Sequence, residues 1–135
     1  MSLVEPTLRL TDEAVLKMVT AAVAKANALG QPQCIVIVDA SGETLVQFRM
    51  AGAKYLSLKS ARSKARTAAS IGVATTNIPE AVGLAIAAAT EGEVTRLPGG
   101  LPILIDNTLV GGIGIGSGSG DQDIAVAEAA LAVFT

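Results

Sequence analysis

The sequence predicts an α+β fold in which an antiparallel sheet of about five strands is flanked by helices. Two pairs of apolar runs, each joined by a short polar turn, indicate β-hairpins, and four other segments have helical spacing. The elements follow the order helix, hairpin, two helices, hairpin, helix. Because hairpins pair their strands antiparallel, this order favours α+β layers over a parallel sheet.

The first third of the chain predicts a helix and then a hairpin. Thr11 is a candidate N-cap because two acidic residues follow it, and apolar residues recur at helical spacing until Gly30. The apolar run Cys34–Val38 predicts a strand, and Glu43–Arg49 predicts its partner. The four residues between them, Asp-Ala-Ser-Gly, are typical of a turn.

Two helices are predicted for the middle of the chain. The alanine-rich segment Leu56–Ile71 has helical spacing and is ended by Gly72. Thr75 or Thr76 is a candidate cap for a second helix, whose body is Ala81–Thr90.

The remaining elements are a short strand, a hairpin and a last helix. Glu93–Arg96 is the candidate fifth strand. The apolar runs Ile103–Ile105 and Leu109–Ile115 flank a tight Asp-Asn-Thr turn, which predicts the second hairpin. Ser119 together with the residue three positions later fits a capping box for a helix over Gln122–Val133.

The stretch from Gly111 to Gly120 is rich in glycine and has two interpretations, a ligand site or tight strand packing and a turn. No window fits G-x-G-x-x-G, and no lysine follows a glycine as a phosphate-cradling loop requires. The next helix begins with Asp121 and Asp123, which would repel a phosphate. A structural turn or a neutral pocket wall is therefore the prediction.

The composition indicates one domain over residues 1–135 with an aliphatic core. Half of the 135 residues are hydrophobic, only three are aromatic, and the formal net charge is −2. So much apolar surface on a small chain predicts a homo-oligomer. The acidic balance, without interleaved basic and aromatic residues, argues against nucleic acid as a partner.

Several classes of site are excluded by residue content. The chain has no histidine, so Ser-His-Asp catalysis and imidazole metal ligation are impossible, and no metal site is predicted. Cys34 is the one cysteine and lies in an apolar run, where a buried structural residue is expected rather than a nucleophile. No apolar segment is long enough to cross a membrane, so a cytoplasmic protein is expected unless a signal peptide has been removed.

Basic residues are concentrated before and within the second helix. Lys59, Arg62 and Arg66 fall on one side with Tyr55, which indicates a solvated face or an anion-facing stripe. Lys64 projects elsewhere, among small residues that include Ser57, Ser60 and Thr67. It must therefore reach out to solvent, pair with an acid or point into a cavity. Arg49, at a strand end, could hold a carboxylate with its planar fork.

Three segments resemble the GlcG/HbpS family, also described as haem-degrading or PduO C-terminal-like domains. They are IVDASGETLVQFRMAGA at Ile37–Ala53, KSARSKARTAASIG at Lys59–Gly72, and the run from the Pro-Gly-Gly at Pro98 to Leu131. The resemblance covers Leu8–Phe134. It implies a profilin-like fold, assembly into homo-oligomers and a single domain of this type.

The resemblance also implies a function in small-molecule binding. Some family members bind or degrade haem, and others accompany glycolate, diol or cobalamin metabolism without an assigned reaction. Haem is therefore a possible cofactor, with Met18, Met50, Cys34, Tyr55 or a lysine as the iron ligand in place of histidine.

The leading hypothesis is a protein that binds, senses or acts on a small carboxylate or carbonyl metabolite, and an accessory oligomer without catalysis is a further alternative. The matching positions place the ligand at Arg49, Lys64, Thr67 and the Pro98–Gly100 loop, with Lys64 as the candidate catalytic residue.

Overall fold

A computed structural model describes residues 2–135. In this part of the chain four strands form one antiparallel sheet, with four α-helices around it. The helices are α1 (Asp12–Leu29), α2 (Ser57–Ile71), α3 (Glu80–Ala89) and α4 (Gly120–Leu131), and the strands are β1 (Cys34–Asp39), β2 (Thr44–Arg49), β3 (Gly100–Ile105) and β4 (Thr108–Gly116). Short 3₁₀ turns occupy Thr75–Asn77 and Ala132–Phe134. No helix in residues 2–135 combines the length and apolarity needed to cross a membrane.

The sheet has the order β2-β1-β4-β3, so β1 and β4 form its centre. Helices α1 and α4 cover one face and pack on Ile35, Ile37 and Ile113. Helix α2 covers the other face and packs on Val36 and Val38. Because both faces of β1 are buried, its sequence is a continuous apolar run rather than an alternating one.

The glycines of β4 bring α2 unusually close to the sheet. A Cβ atom at Gly112 or Gly114 would overlap the carbonyl oxygen of Ala65 or Ala61, respectively, in α2. The glycine-rich strand therefore serves tight strand packing, as one of the two interpretations predicted. The short distance between the α2 backbone and β4 determines how deeply the α2 side chains lie beside the end of β4.

The strand count is one fewer than the predicted five, because Glu93–Arg96 forms no strand. The hydrogen-bond partners of its backbone are side chains and not a neighbouring strand. The Thr67 hydroxyl donates to the Glu93 carbonyl oxygen at 3.1 Å and accepts from the Thr95 N–H at 3.0 Å, and the Val94 N–H donates to the Thr90 hydroxyl at 3.0 Å. The α+β class and the flanking helices are confirmed.

Most of the predicted caps and turns are confirmed, and one cap is wrong. Thr11 and Ser119 accept N–H bonds at the starts of α1 and α4, and Ser119 completes the capping box with Gln122. Asp106 and Asn107 both have positive φ, as a two-residue hairpin turn requires. The predicted threonine cap of α3 is wrong, since Pro79 precedes the helix and the Thr75 hydroxyl donates instead to the Leu97 carbonyl oxygen at 2.6 Å.

Candidate functional site

A buried ion pair joins the middle of α2 to the first turn of α4. The Lys64 Nζ lies 3.0 Å from the Asp123 Oδ2 and donates a second hydrogen bond to the Ile115 carbonyl oxygen at 2.7 Å. The two charged side chains are only 6% and 4% exposed. Removing two charges from water is costly, so their mutual contact and their further hydrogen bonds are what make this burial tolerable.

Asp123 has a second partner and a shifted pKa. Its Oδ1 accepts from the Gly118 N–H at 3.0 Å. Burial raises the pKa of the Asp123 carboxyl above its usual value, although the neighbouring Lys64 ammonium and the hydrogen bonds oppose that effect. The carboxylate is therefore held by contacts that compensate only part of its lost hydration.

The Lys64 ammonium retains a donor for a third partner. A lysine ammonium carries three N–H donors. Within residues 2–135, Nζ has two acceptors, the Asp123 carboxylate and the Ile115 carbonyl. The arrangement is therefore suited to donate one more hydrogen bond to an oxygen placed beside it.

Lys64 and Asp123 both line a cavity of about 280 Å³ between the α2 N-terminal half and the glycine-rich loop. Its other walls are small hydroxyl side chains, one exposed lysine, and loop residues. These are Lys54, Ser57, Ser60, Leu97, Pro98, Ser117, Gly118 and Gly120. The volume is near the lower limit of small-molecule sites, which indicates a compact ligand.

The Pro-Gly-Gly sequence at 98–100 allows the loop to approach the ion pair. Gly99 has φ +113°, and a Cβ atom there would lie 2.8 Å from both the Asp123 Cβ and the Ile115 carbonyl oxygen. The same atom would lie 3.4 Å from the Lys64 Nζ. A Cβ at Gly100 would lie 2.5 Å from the Lys64 carbonyl oxygen. Both glycines are thus required by close contact around Lys64.

The structure brings some of the predicted site residues together and separates others. Lys64 and Pro98 line the cavity, and Gly99 and Gly100 pack behind Lys64. Arg49 lies exposed at the end of β2 and does not line this cavity. Thr67 lies on α2 and is buried against the segment that follows α3, where its hydroxyl is hydrogen-bonded to the backbone of Glu93 and Thr95. It also borders a second cavity near the Gly42 turn.

Two polar residues of the site were missed by sequence reasoning. Asp123 was interpreted only as an acid suited to a helix N-terminus, and nothing in its local sequence signals a distant lysine. Gln33 has a fully buried side chain beside Gly118, and its amide opposes the rise in the pKa of the Asp123 carboxyl, although neither amide atom has a partner at full hydrogen-bond geometry within residues 2–135. A glutamine directly before an apolar strand was the available signal for Gln33.

The candidate haem ligands differ in access. Met18 and Cys34 have no exposed surface, and burial raises the pKa of the Cys34 thiol, whose Sγ contacts the Lys54 carbonyl oxygen at 3.4 Å. Met50 is 9% exposed, and its sulfur accepts from the Gln33 N–H at 3.4 Å. Tyr55 is 68% exposed, which makes it the most accessible residue among these four. No cluster of three Cys, Asp or Glu residues suited to a metal ion occurs in the described part of the chain.

The fold of this chain is that of a known domain family. The model of the family described as "Haem degrading protein HbpS-like" matches residues 10–132. The chain belongs to this HbpS-like family, as the three sequence segments predicted.

Relatives with longer chains include the corrinoid adenosyltransferase PduO of Citrobacter freundii. It is 36% identical over 133 residues, which are 95% of this chain and 40% of PduO. The chain thus spans about two fifths of the curated relative that it matches.

Two solved structures are similar over nearly their whole length. A PduOC:haem complex has 32% identity and a TM-score of 0.87, with 93% of this chain and 94% of that chain covered. A double mutant of Streptomyces reticuli HbpS has 34% identity and a TM-score of 0.87, with coverage of 98% and 91%.

Proposed function

We propose that this chain binds a small anionic metabolite, with a carboxylate or carbonyl oxygen, in the cavity beside Lys64. The third N–H donor of the buried Lys64 ammonium carries this proposal, because a buried donor is costly to leave without an acceptor. A ligand oxygen in the cavity would supply that acceptor.

Charge and size favour one compact anionic group. Two lysines, Lys54 and Lys64, and one acidic residue, Asp123, are among the residues that line the cavity, so their formal charges sum to one positive charge. Hydroxyl groups of Ser57 and Ser117 add neutral donors at the wall. The buried amide of Gln33, next to Gly118, adds a further polar group behind that wall.

Lys64 remains the candidate catalytic residue within this proposal. Held between the Asp123 carboxylate and the Ile115 carbonyl, its ammonium would donate to a ligand oxygen without having to reorient. Donation of this kind would bind a carboxylate and would stabilise an enolate or a polarised carbonyl. A protein that only binds or senses its ligand would use the same contact.

A melting-temperature screen tests the proposal with glycolate, lactate and pyruvate as probes. Lys54→Met is the most direct variant, because Lys54 is exposed and its loss should leave folding intact. We expect at least one probe to raise the melting temperature of the wild type, since a ligand that binds only the folded state stabilises it. The shift should fall strongly in Lys54→Met.

Lys59→Met is the matched control, because Lys59 is also an exposed lysine, lies on α2 and does not line the cavity. Its shift should equal that of the wild type. No shift with any probe, or equal losses in both variants, would contradict binding in this cavity. The double variant Lys64→Met/Asp123→Asn tests the ion pair itself, since it removes both buried charges and leaves the Gly118 acceptor in place.

Haem is the second candidate ligand, favoured by the similar PduOC:haem complex. The cavity of about 280 Å³ is small for a macrocycle, so we propose that haem would lie on the surface near Tyr55. Tyrosinate is a known haem ligand, and Lys54 and Arg49 are exposed cations suited to haem carboxylates. Bound haem would supply redox and oxygen chemistry, while these residues would hold and orient it.

An absorbance titration with haemin tests this second candidate. We expect a Soret band that shifts on binding to the wild type and to Cys34→Ser, because Cys34 is buried. Tyr55→Phe should bind at least tenfold more weakly and lose the spectral features of phenolate ligation. An unchanged Soret band in Tyr55→Phe would exclude Tyr55 as the ligand.

A further inference from the structure

Ser117 lies between β4 and α4 in a backbone conformation that favours glycine. Its φ is +89°, in the left-handed region, where the Cβ atom of an L-residue is crowded by its own backbone. The residues on either side of it are glycines, yet a serine occupies the strained position. Strain of this kind persists only where the surrounding structure imposes it, and it is concentrated at functional sites.

Two hydrogen bonds hold Ser117 in this conformation. The Gln31 Nε2 donates to the Ser117 carbonyl oxygen, and the Lys54 N–H donates to the Ser117 Oγ, each at 3.0 Å. In the second bond the hydroxyl is the acceptor, and within residues 2–135 its own hydrogen has no acceptor. Because Ser117 lines the same cavity as Lys64, this cavity has a hydroxyl donor in addition to the third N–H of the Lys64 ammonium.

A second feature that is unfavourable for folding lies against the same loop. The Gln33 side chain is fully buried, and neither amide atom has a partner at full hydrogen-bond geometry within residues 2–135. A Cβ atom at Gly118 would lie 2.6 Å from the Gln33 Nε2 and 2.9 Å from the Asp123 Oδ1, so glycine is required there. A strained serine and a buried amide without partners both lower the stability of the fold. Such departures from local rules occur mainly at functional sites, which indicates that this loop is shaped for a ligand.

The two free donors determine which ligand the cavity fits. The Lys64 ammonium suits a carboxylate, and the Ser117 hydroxyl suits a second oxygen of the same molecule. A cavity of about 280 Å³ favours a molecule of a few carbon atoms, in which a second oxygen lies close to the carboxylate.

We propose that Ser117 is a specificity-determining residue, whose hydroxyl donates to the 2-hydroxy or 2-oxo oxygen of a short carboxylic acid bound by Lys64. This inference rests on the proposed function and names its substrate class. The backbone strain at Ser117 then has a purpose, because it presents the hydroxyl at the cavity wall. An acid that lacks the second oxygen would leave the hydroxyl without a partner and would bind more weakly.

Isothermal titration calorimetry with matched acids tests this assignment, comparing glycolate with acetate and pyruvate with propionate. The members of each pair have equal carbon chains and differ only in the oxygen next to the carboxylate. The wild type should bind glycolate and pyruvate roughly tenfold or more tightly than acetate and propionate. Ser117→Ala removes the hydroxyl and keeps the strain, so each ratio of dissociation constants should fall to near one. If the hydroxyl only caps the Lys54 N–H, Ser117→Ala would leave both ratios unchanged, and the assignment would be overturned.

Thermal unfolding without ligand measures the strain separately. Ser117→Gly removes the same hydroxyl and relieves the positive φ, so it should melt about 3 °C or more above Ser117→Ala. Equal melting temperatures of these two variants would contradict the strain on which the proposal rests. Should Ser117→Ala be unfolded, Ser117→Gly replaces it in the binding experiment.

Asn107→Gly is the matched control, because Asn107 also has a positive φ but does not line the cavity. Its two ratios of dissociation constants should equal those of the wild type. Equal binding of glycolate and acetate by the wild type would overturn the role of Ser117 and leave the proposed function intact. The absence of binding by all four acids would instead contradict the proposed function, and this inference with it.

Discussion

Lys64 and Asp123 are 59 positions apart in the sequence, yet each is the main charged partner of the other. Both are almost fully buried, so the free energy of the pair depends on every contact being made. The pKa of Asp123 is raised by burial, which means that the carboxylate would accept a proton readily once its cation is removed.

Lys64→Met should lower the free energy of unfolding by roughly 3–5 kcal/mol at neutral pH, because it leaves a buried carboxylate without its cation. In this variant the pKa of the Asp123 carboxyl is higher in the folded state than in the unfolded state. As the pH falls, the folded state therefore takes up a proton at Asp123 before the unfolded state does, and this uptake stabilises it. The deficit should therefore shrink as the pH falls toward and below the raised pKa of Asp123. Urea unfolding of Lys64→Met and the wild type at a series of pH values, from neutral into the acid range, measures this change.

The double variant Lys64→Met/Asp123→Asn is the control for that experiment. It should be more stable than Lys64→Met at neutral pH and should lack the pH dependence, since no titrating group remains at the pair. A single variant that is as stable as the wild type at every pH would show that the pair contributes nothing to folding.

Asp39 organises the turn between β1 and β2. Its Oδ1 accepts from the Ser41 hydroxyl at 2.8 Å and from the N–H groups of Ser41 and Glu43 at 2.9 Å and 3.1 Å. The Ser41 hydroxyl, followed by the backbone N–H groups, lowers the pKa of the Asp39 carboxyl. The charged form therefore stabilises the folded state.

Asp39→Ala should destabilise the protein by about 1 kcal/mol at neutral pH, because it removes these hydrogen bonds at a solvent-accessible turn. The folded-state pKa is below the ordinary value, so this contribution is present above pH 3.8 and is lost as the pH falls through the lowered pKa. Thermal unfolding of Asp39→Ala and Asp39→Asn at neutral and acidic pH measures it. A deficit of Asp39→Ala that grows in acid would contradict this assignment.

At the scale of elements, the contact between β4 and α2 determines where the site lies. The glycines of β4 allow the α2 backbone to approach the sheet, and Lys64 is thereby placed beside the Ile115 carbonyl. The Pro98–Gly100 loop closes the same region from the other side. The site is therefore a consequence of how tightly these elements pack.

Gly114→Ala should destabilise the protein by about 1–3 kcal/mol or more, because the new methyl group meets the Ala61 carbonyl oxygen and the backbone must move. Gly83→Ala, within α3, is the matched control. There the methyl group would lie 2.5 Å from the Arg96 Cδ, in a side chain that can move at the cost of its hydrogen bond to Ile78, and alanine favours the helix, so the loss of stability should be smaller than in Gly114→Ala. Denaturant unfolding compares the two, and equal effects would contradict the backbone contact.

At the scale of the whole molecule, the layers predict an order of local stability. Strand β1 is paired on both sides and covered by helices on both faces, whereas β2 is an exposed edge strand. Local opening should therefore expose β2 long before β1.

Amide hydrogen exchange at neutral pH should be slowest for β1 and β4, faster for β2, and fastest for α3, which contacts no other helix or strand among residues 2–135. The reason is that protection follows the packed contacts that must break before an amide opens. Peptide-level mass spectrometry resolves these elements. Equal protection of β1 and β2 would contradict the sheet order as the basis of local stability.

The order of elements was predictable because each has a local signal. Thr11, Ser119 and the Asp106–Asn107 turn satisfy backbone groups within a few residues of themselves, so their patterns can be read without the fold. The predicted strand at Glu93–Arg96 is wrong because the hydroxyls of Thr67 and Thr90 form hydrogen bonds with its backbone. Thr67 reaches this segment only in the folded chain.

The sequence by itself determined the α+β class, the family, and a lysine that had to snorkel, pair or enter a cavity. Only the tertiary structure decided that Lys64 pairs with Asp123 while lining a cavity, that Arg49 lies outside that cavity, and that the Thr67 hydroxyl is already used by the backbone. The physical reason is the sequence separation over which each kind of interaction acts. Hydrophobic periodicity, caps and turns act over a few residues, whereas a buried charge is compensated by whichever partner the packing of distant elements places within hydrogen-bond distance.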